Sequence, residues 1–210
     1  MNRFEYYESM KYLARDTRAR FGIDSVHVTR TNLRSIYRAE NIRIDLWPYK
    51  LRKLHGAYFN DEAGSTVMLA RGLPEEPMVF TMAHELKHHL ADRDMAISYC
   101  DVSNERSYIE IGAEVFAAEL IFPESDFMQT TTDLNIVRGH VDQISVVRLK
   151  RETRTTLSYT GIVKRLEFLE FIAPGSFAKV HWRKLEEATY GEPVYKQILR
   201  RRAAAMSRGL

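Results

Sequence analysis

The sequence predicts an α+β fold, a small antiparallel sheet set beside helices and followed by a smaller helical extension. Three observations carry this expectation. Apolar residues recur at helical spacing in six segments, short alternating runs with turn residues between them mark strands, and residues 124–136 form a polar, turn-rich stretch that reads as a boundary. The expected division is a first domain over 1–125 and a helical, basic extension over 126–210. A chain of 210 residues with 45% hydrophobic side chains can bury a sizeable core, and 10 Gly and 6 Pro are too few for collagen-like or generically disordered chains.

In chain order, Phe4, Tyr7, Met10, Leu13 and Ala14 keep helical spacing over 4–21, which stops at Gly22. A second helix fits 31–40. Ile42, Ile44 and Leu46 alternate with Arg43 and Asp45 as a strand, ended by Pro48. The runs 56–60 and 65–70 flank Asp61-Glu-Ala-Gly64 and read as a β-hairpin. The stripe Val79, Ala83, Leu86, Leu90 predicts a helix over 75–91, and Ile109, Ala113, Phe116, Leu120 another over 104–121, stopped by Pro123. Past the boundary, a helix near 139–152 and one near 159–170, N-capped by Ser158, form a pair of helix-turn-helix type.

Charge is unevenly placed. Residues 137–210 hold 15 Lys/Arg against 7 Asp/Glu, whereas residues 1–136 hold 16 against 21. The basic back half is a candidate face for nucleic acid, although Lys and Arg also serve simply to solvate helices. The longest apolar run, Ile109 to Phe122, is interrupted by Glu114 and Glu119, so no membrane partner is expected. An acidic N-terminal segment without an apolar stretch, together with the lone Cys100, fits a reducing cytoplasm.

The chemistry concentrates in His84-Glu85-Leu86-Lys87-His88, which has the zinc pattern H-E-x-x-H. Residues four apart share a helix face, so both imidazoles can reach one ion at roughly 2.0–2.1 Å. Glu85 is turned about 100° from His84, where its carboxylate can reach a water at the metal rather than the metal itself. A catalytic zinc site takes three protein ligands. The apolar helix that follows offers Glu110 and Glu114 one turn apart, and two acids in a low-dielectric setting require compensation. Glu110 is read as the third ligand, and Glu114 as the residue that orients a ligating imidazole. One Zn2+ per chain is the expected cofactor. Lys87 is expected on the solvated face, and His89 on the surface or in the core. Cys100 lies in the loop between the two ligand-bearing helices, where its thiolate is a candidate inhibitory fourth ligand; a small buried hydrophobe is the other reading. Tyr99, Tyr108 and Tyr159 are equal candidates for stabilising an oxyanion, and the strand at 65–70 for pairing with an extended substrate.

Phe80-Thr-Met-Ala-His-Glu-Leu-Lys-His88, followed by Glu110-Ile-Gly-Ala-Glu-Val-Phe-Ala-Ala-Glu-Leu-Ile-Phe-Pro123, resembles the ImmA/IrrE family of zinc metallopeptidases, and the likeness extends over roughly residues 30–170. The resemblance implies a zincin-like, specifically gluzincin-like domain in which His84, His88 and Glu110 bind zinc and Glu85 acts as general base. It also implies a protein substrate, a helix-turn-helix transcriptional repressor cleaved in response to DNA damage or phage-related stress. Nucleic acid acting on the basic C-terminal half is a candidate activator. The chain departs from the family pattern where Lys87 replaces a usual Gly and Glu114 a usual Asn. The alternative function is a non-catalytic, DNA- or partner-binding transcriptional regulator with a structural or vestigial metal site.

Overall fold

The computed structural model describes residues 2–48, 55–93, 108–193, 196–200 and 203. Helix α1 (Arg3–Arg20) opens on a reciprocal cap, in which the Asn2 side chain accepts from Glu5 N–H at 2.9 Å and the Glu5 carboxylate accepts from Asn2 N–H at 3.0 Å. It closes at Gly22, whose φ of +61° lies in the left-handed region that glycine tolerates best. There Ile23 N–H returns to the Arg18 carbonyl at 2.9 Å. Thr29 caps α2 (Arg30–Ala39) in the same reciprocal way with Asn32.

Strands β1 (Arg43–Trp47), β2 (Gly56–Asp61) and β3 (Gly64–Ala70) form one sheet in the order β1-β3-β2. The β2–β3 hairpin is antiparallel as the turn residues predict, with Tyr58 opposite Val67. β1 instead runs parallel to β3, with Ile44 opposite Val67, so the antiparallel sheet expected from sequence is corrected to a mixed one. The reason is topological: β2 runs opposite to β3, so a whole strand intervenes between β1 and β3 in the chain and the two can lie parallel. β3 is therefore the central strand with both edges occupied. It cannot pair with an extended substrate, and the outer edges of the sheet belong to β1 and β2.

Helix α3 (Glu75–Ala91) matches its predicted span, and α4 is described over Tyr108–Ile121. α3 fully buries Val79, Met82, Ala83 and Leu86, and α4 fully buries Ala113, Phe116 and Leu120. Residues 124–136, read from sequence as a turn-rich boundary, instead begin with α5 (Glu124–Asp133). Pro123 stops α4, and Glu124 and Asp126 place negative charge in the first turn of the new helix, where its dipole favours it. The polar run that resembled a loop is satisfied within the helix, since Thr130 Oγ1 donates to the Asp126 carbonyl at 2.7 Å and Thr131 Oγ1 to that of Met128 at 2.8 Å. Phe127 anchors it in the core.

Helices α6 (Gln143–Thr153) and α7 (Tyr159–Phe168) form the expected pair, with Ser158 Oγ accepting from Gly161 N–H at 3.1 Å. Helix α8 (Trp182–Tyr190) was not signalled by the sequence. Its hydrophobic hold is the Trp182 ring, stacked on Tyr159 with centroids 5.2 Å apart. One continuous core includes Leu33, Leu69, Leu86 and Phe116 from the first part of the chain and Val146, Leu149 and Leu166 from the extension. No helix among the described residues is long and apolar enough to cross a membrane.

The acid that interrupts the apolar run of α4 has a structural task. Glu119 is fully buried and accepts from Arg15 of α1 at 3.0 Å, from Arg165 of α7 at 3.1 Å and from the Glu124 N–H at the start of α5 at 3.0 Å. Removing one partner of a buried ion pair leaves the other uncompensated, at a cost of roughly 3–5 kcal/mol. Glu119→Ala is therefore expected to lower the unfolding free energy by about that amount in a urea titration; a loss below ~1 kcal/mol would contradict this role.

Candidate metal centre

Position in α3 decides which side chains of the H-E-x-x-H segment meet. Phe80, His84 and His88 share one stripe at four-residue spacing, and that stripe faces α4. His84 Nε2 lies 3.4 Å from His88 Nε2 and 3.2 Å from Glu110 Oε2, and His88 Nε2 lies 3.6 Å from Glu110 Oε1. One ligand atom from each residue thus falls within 4.8 Å of the others. Donors held roughly 2.0–2.1 Å from a tetrahedral ion sit about 3.3 Å apart, so the observed triangle fits a single small cation. His88 is fully buried, whereas His84 and Glu110 retain 14% and 13% side-chain exposure, which leaves the site open on their side.

The charge around the triangle also calls for a cation. Burial alone would lower the pKa of His84, but the hydrogen bond it donates to Glu110 and the charges of Glu85, Glu110 and Glu114 outweigh it, and the net direction is upward. Glu85 is 1% exposed and sits beneath the start of β2. A methyl at Gly56 would come within 3.2 Å of Glu85 Oε1 and 2.5 Å of Thr81 Cγ2, so glycine is what lets the strand pass this close.

The sequence reading missed Asp92. It stands one turn past His88 on the stripe of the two histidines, at the C-cap of α3, and its Oδ2 accepts from His88 Nδ1 at 2.7 Å. A carboxylate accepts only, so this bond places the imidazole proton on Nδ1 and turns the Nε2 lone pair toward His84 and Glu110. The signal was the repeat 84-88-92. The same Oδ2 accepts from Lys87 Nζ at 2.5 Å, and Lys87 donates further to the Ile109 carbonyl at 3.2 Å. Lys87 is thus fully buried rather than solvated, which corrects the sequence expectation. Burial pulls its pKa down against the opposing pull of Asp92, while His88 and Lys87 together hold the Asp92 carboxyl below its ordinary value despite burial.

Glu114 is not brought to an imidazole ring in the orienting way expected. Its carboxylate is half exposed and faces Lys164 Nζ at 3.4 Å, and the position on His88 is taken by Asp92. Cys100 and Tyr99 lie outside the described residues. Tyr108 is half exposed, two residues before Glu110, and packs edge-on against Tyr6. Tyr159 packs against Trp182 and Lys150 within the extension. His89 is a core residue, its Nδ1 3.2 Å from the Tyr58 hydroxyl.

An α+β domain whose paired helices present two imidazoles and one carboxylate around a point is metallopeptidase-like in fold and donor set. Residues 38–150, more than half of the chain, match the family model described as the IrrE N-terminal-like domain, Peptidase_M78, and the chain belongs to that family. The match runs across α5 and most of α6. No curated protein matches the chain.

Second partners of metal-bound histidines are commonly worth about 10–100-fold in affinity. Asp92→Asn is expected to lose about that much in a metal-competition titration, and to lose stability because Lys87 is left buried without a counter-ion. Adding Lys87→Met should restore the stability but not the affinity. The upward shift at His84 has a signed consequence. Metal capture needs the neutral ring, so affinity falls as pH drops through the raised pKa, at a higher pH than for an unperturbed histidine. For the metal-free protein, the stability contributed by protonated His84 is fully present below about 6.5 and is lost as pH rises through the folded-state value. Chelator competition and metal-free thermal melts between roughly pH 6 and 8 read the two effects in opposite directions.

Proposed function

We propose that the chain is a zinc-dependent endopeptidase. The observation that carries this reading is the triangle of His84, His88 and Glu110 donors with the buried Glu85 carboxylate on the next position of the same helix. Two nitrogens and one carboxylate oxygen suit zinc among the common cellular cations. When bound, zinc supplies Lewis acidity that lowers the pKa of water toward ~7 and polarises a carbonyl. His84, His88 and Glu110 hold it, and Asp92 fixes the tautomer of His88. Glu85, confined between α3 and β2, takes a proton from the attacking water and delivers it to the departing amine. Tyr108 is the described tyrosine nearest in sequence to Glu110 and is half exposed, and its hydroxyl is proposed as the hydrogen-bond donor to the developing oxyanion.

The substrate proposed is a regulatory protein, in the first instance a helix-turn-helix repressor, with DNA damage or phage-related stress as the occasion for cleavage. Membership of the IrrE-like family supports this assignment. Nucleic acid remains a proposed activator through the basic second half of the chain. Zinc-loaded wild type is expected to cleave a co-encoded repressor, while Glu85→Gln, with one zinc per chain verified by metal analysis, is expected to lose at least about 10²-fold in kcat. Cleavage retained by that metal-verified variant would falsify the general-base assignment. A wild-type protein that takes up no zinc would remove the peptidase reading.

A further inference from the structure

A cavity lies along α4 between α1 and α7 and meets the histidine-bearing helix α3 at Phe80. One turn before His84 on α3 stands Phe80, and one turn beyond Glu110 on α4 stands Glu114, and both line this cavity of about 370 Å³. Its walls are overwhelmingly apolar: Ile111, Val115 and Ala118 come from α4, and Leu157 precedes α7, which closes the opposite side. Phe168 at the end of α7 is 66% exposed and extends the apolar wall outward. This volume lies within the range of about 300–1,000 Å³ typical of ligand sites.

Charge at the rim narrows the occupant. Lys11 pairs with Glu124 at 2.8 Å, Arg165 with Glu119 at 3.1 Å and Lys164 with Glu114 at 3.4 Å. The charged lining is Lys11, Lys164 and Arg165 against Glu114 and Glu124, a surplus of one positive charge, which is little to draw a polyanion such as nucleic acid. An apolar interior with a nearly balanced polar rim suits a neutral side chain on a polypeptide whose flanking backbone stays wet. The Lys164–Glu114 pair bridges α7 and α4 at the mouth, and both side chains are more than half exposed, so it contributes little and a ligand can part it. Glu114 also relates the two regions by position, one turn past Glu110 on α4 with its side chain lining the groove.

We propose that this groove receives a bulky apolar side chain, of leucine or phenylalanine size, from the polypeptide segment that crosses the metal centre. The proposal rests on the peptidase reading and adds to it a determinant of specificity. It also gives the extension a role: α7 forms the outer wall of the subsite, and the exposed Thr160, Lys164 and Phe168 of that helix line the groove.

The test uses the full chain carrying Glu85→Gln, loaded with zinc, and two unstructured peptides of about ten residues that differ only in one central leucine or alanine. The leucine peptide is expected to bind about tenfold more tightly, as burying its side chain requires, and to shift the methyl resonances of Ile111 and Val115. Thr160→Trp, at an exposed position on the groove wall, should remove this preference while leaving the circular dichroism and melting temperature of the protein unchanged. Equal binding of the two peptides, no binding of the leucine peptide at millimolar concentration, or shifts confined to other methyls would each overturn the proposal. Leucine-dependent binding at Ile111 and Val115 in a chain whose wild type never cleaves would uphold the groove and remove the peptidase. Wild-type cleavage that is indifferent to leucine or alanine and to Thr160→Trp would do the reverse.

Discussion

Helix α4 is held in place by a carboxylate that it buries. Glu119 binds Arg15 of α1, Arg165 of α7 and the first amide of α5, and Arg18 of α1 adds a bond to the Leu120 carbonyl at 2.7 Å. These contacts fix the rotation and depth of α4 against three other helices, and with them the place where Glu110 emerges beside the histidines. An apolar seam alone would leave α4 able to slide or turn, because dispersion contacts carry little directional information. A buried acid with three donors has only one satisfactory orientation. The metal-ligating geometry and the walls of the adjoining groove both depend on it.

Much of the site was legible because its determinants are local. Two histidines four apart on a patterned helix must share a face whatever surrounds them, and acids on an apolar helix need partners, which brought Glu110 and Glu114 forward together. The residues that escaped notice depend on packing between distant segments. Lys87 carries a charge that composition assigns to solvent, yet the Ile109 carbonyl from α4 and Asp92 from the end of its own helix enclose it. Glu114 satisfies the same spacing argument as an orienting residue, but a second acid one turn on falls beyond the rings and meets Lys164.

The fold shows the same division. Helices with a marked stripe were placed to within a few residues at their ends, whereas the direction of β1 depends on a pairing some twenty residues away along the chain. Helix α5 was hidden by its composition. Threonine, serine and aspartate offer alternatives to helix in an isolated chain, and only the anchoring of Phe127 and the acceptor supplied by Glu119 decide between them. The stacking of Trp182 on Tyr159 that holds α8 is likewise invisible to periodicity.

The close passage of Gly56 over Thr81 and Glu85 bears on rate as well as shape. A glutamate on an exposed helix samples many rotamers, and bringing it to one of them during a reaction costs conformational entropy. Here the backbone of β2 leaves its carboxylate so little room that most of this freedom is already lost when the strand docks. The entropic cost falls on folding, and the group meets its reaction partner pre-organised.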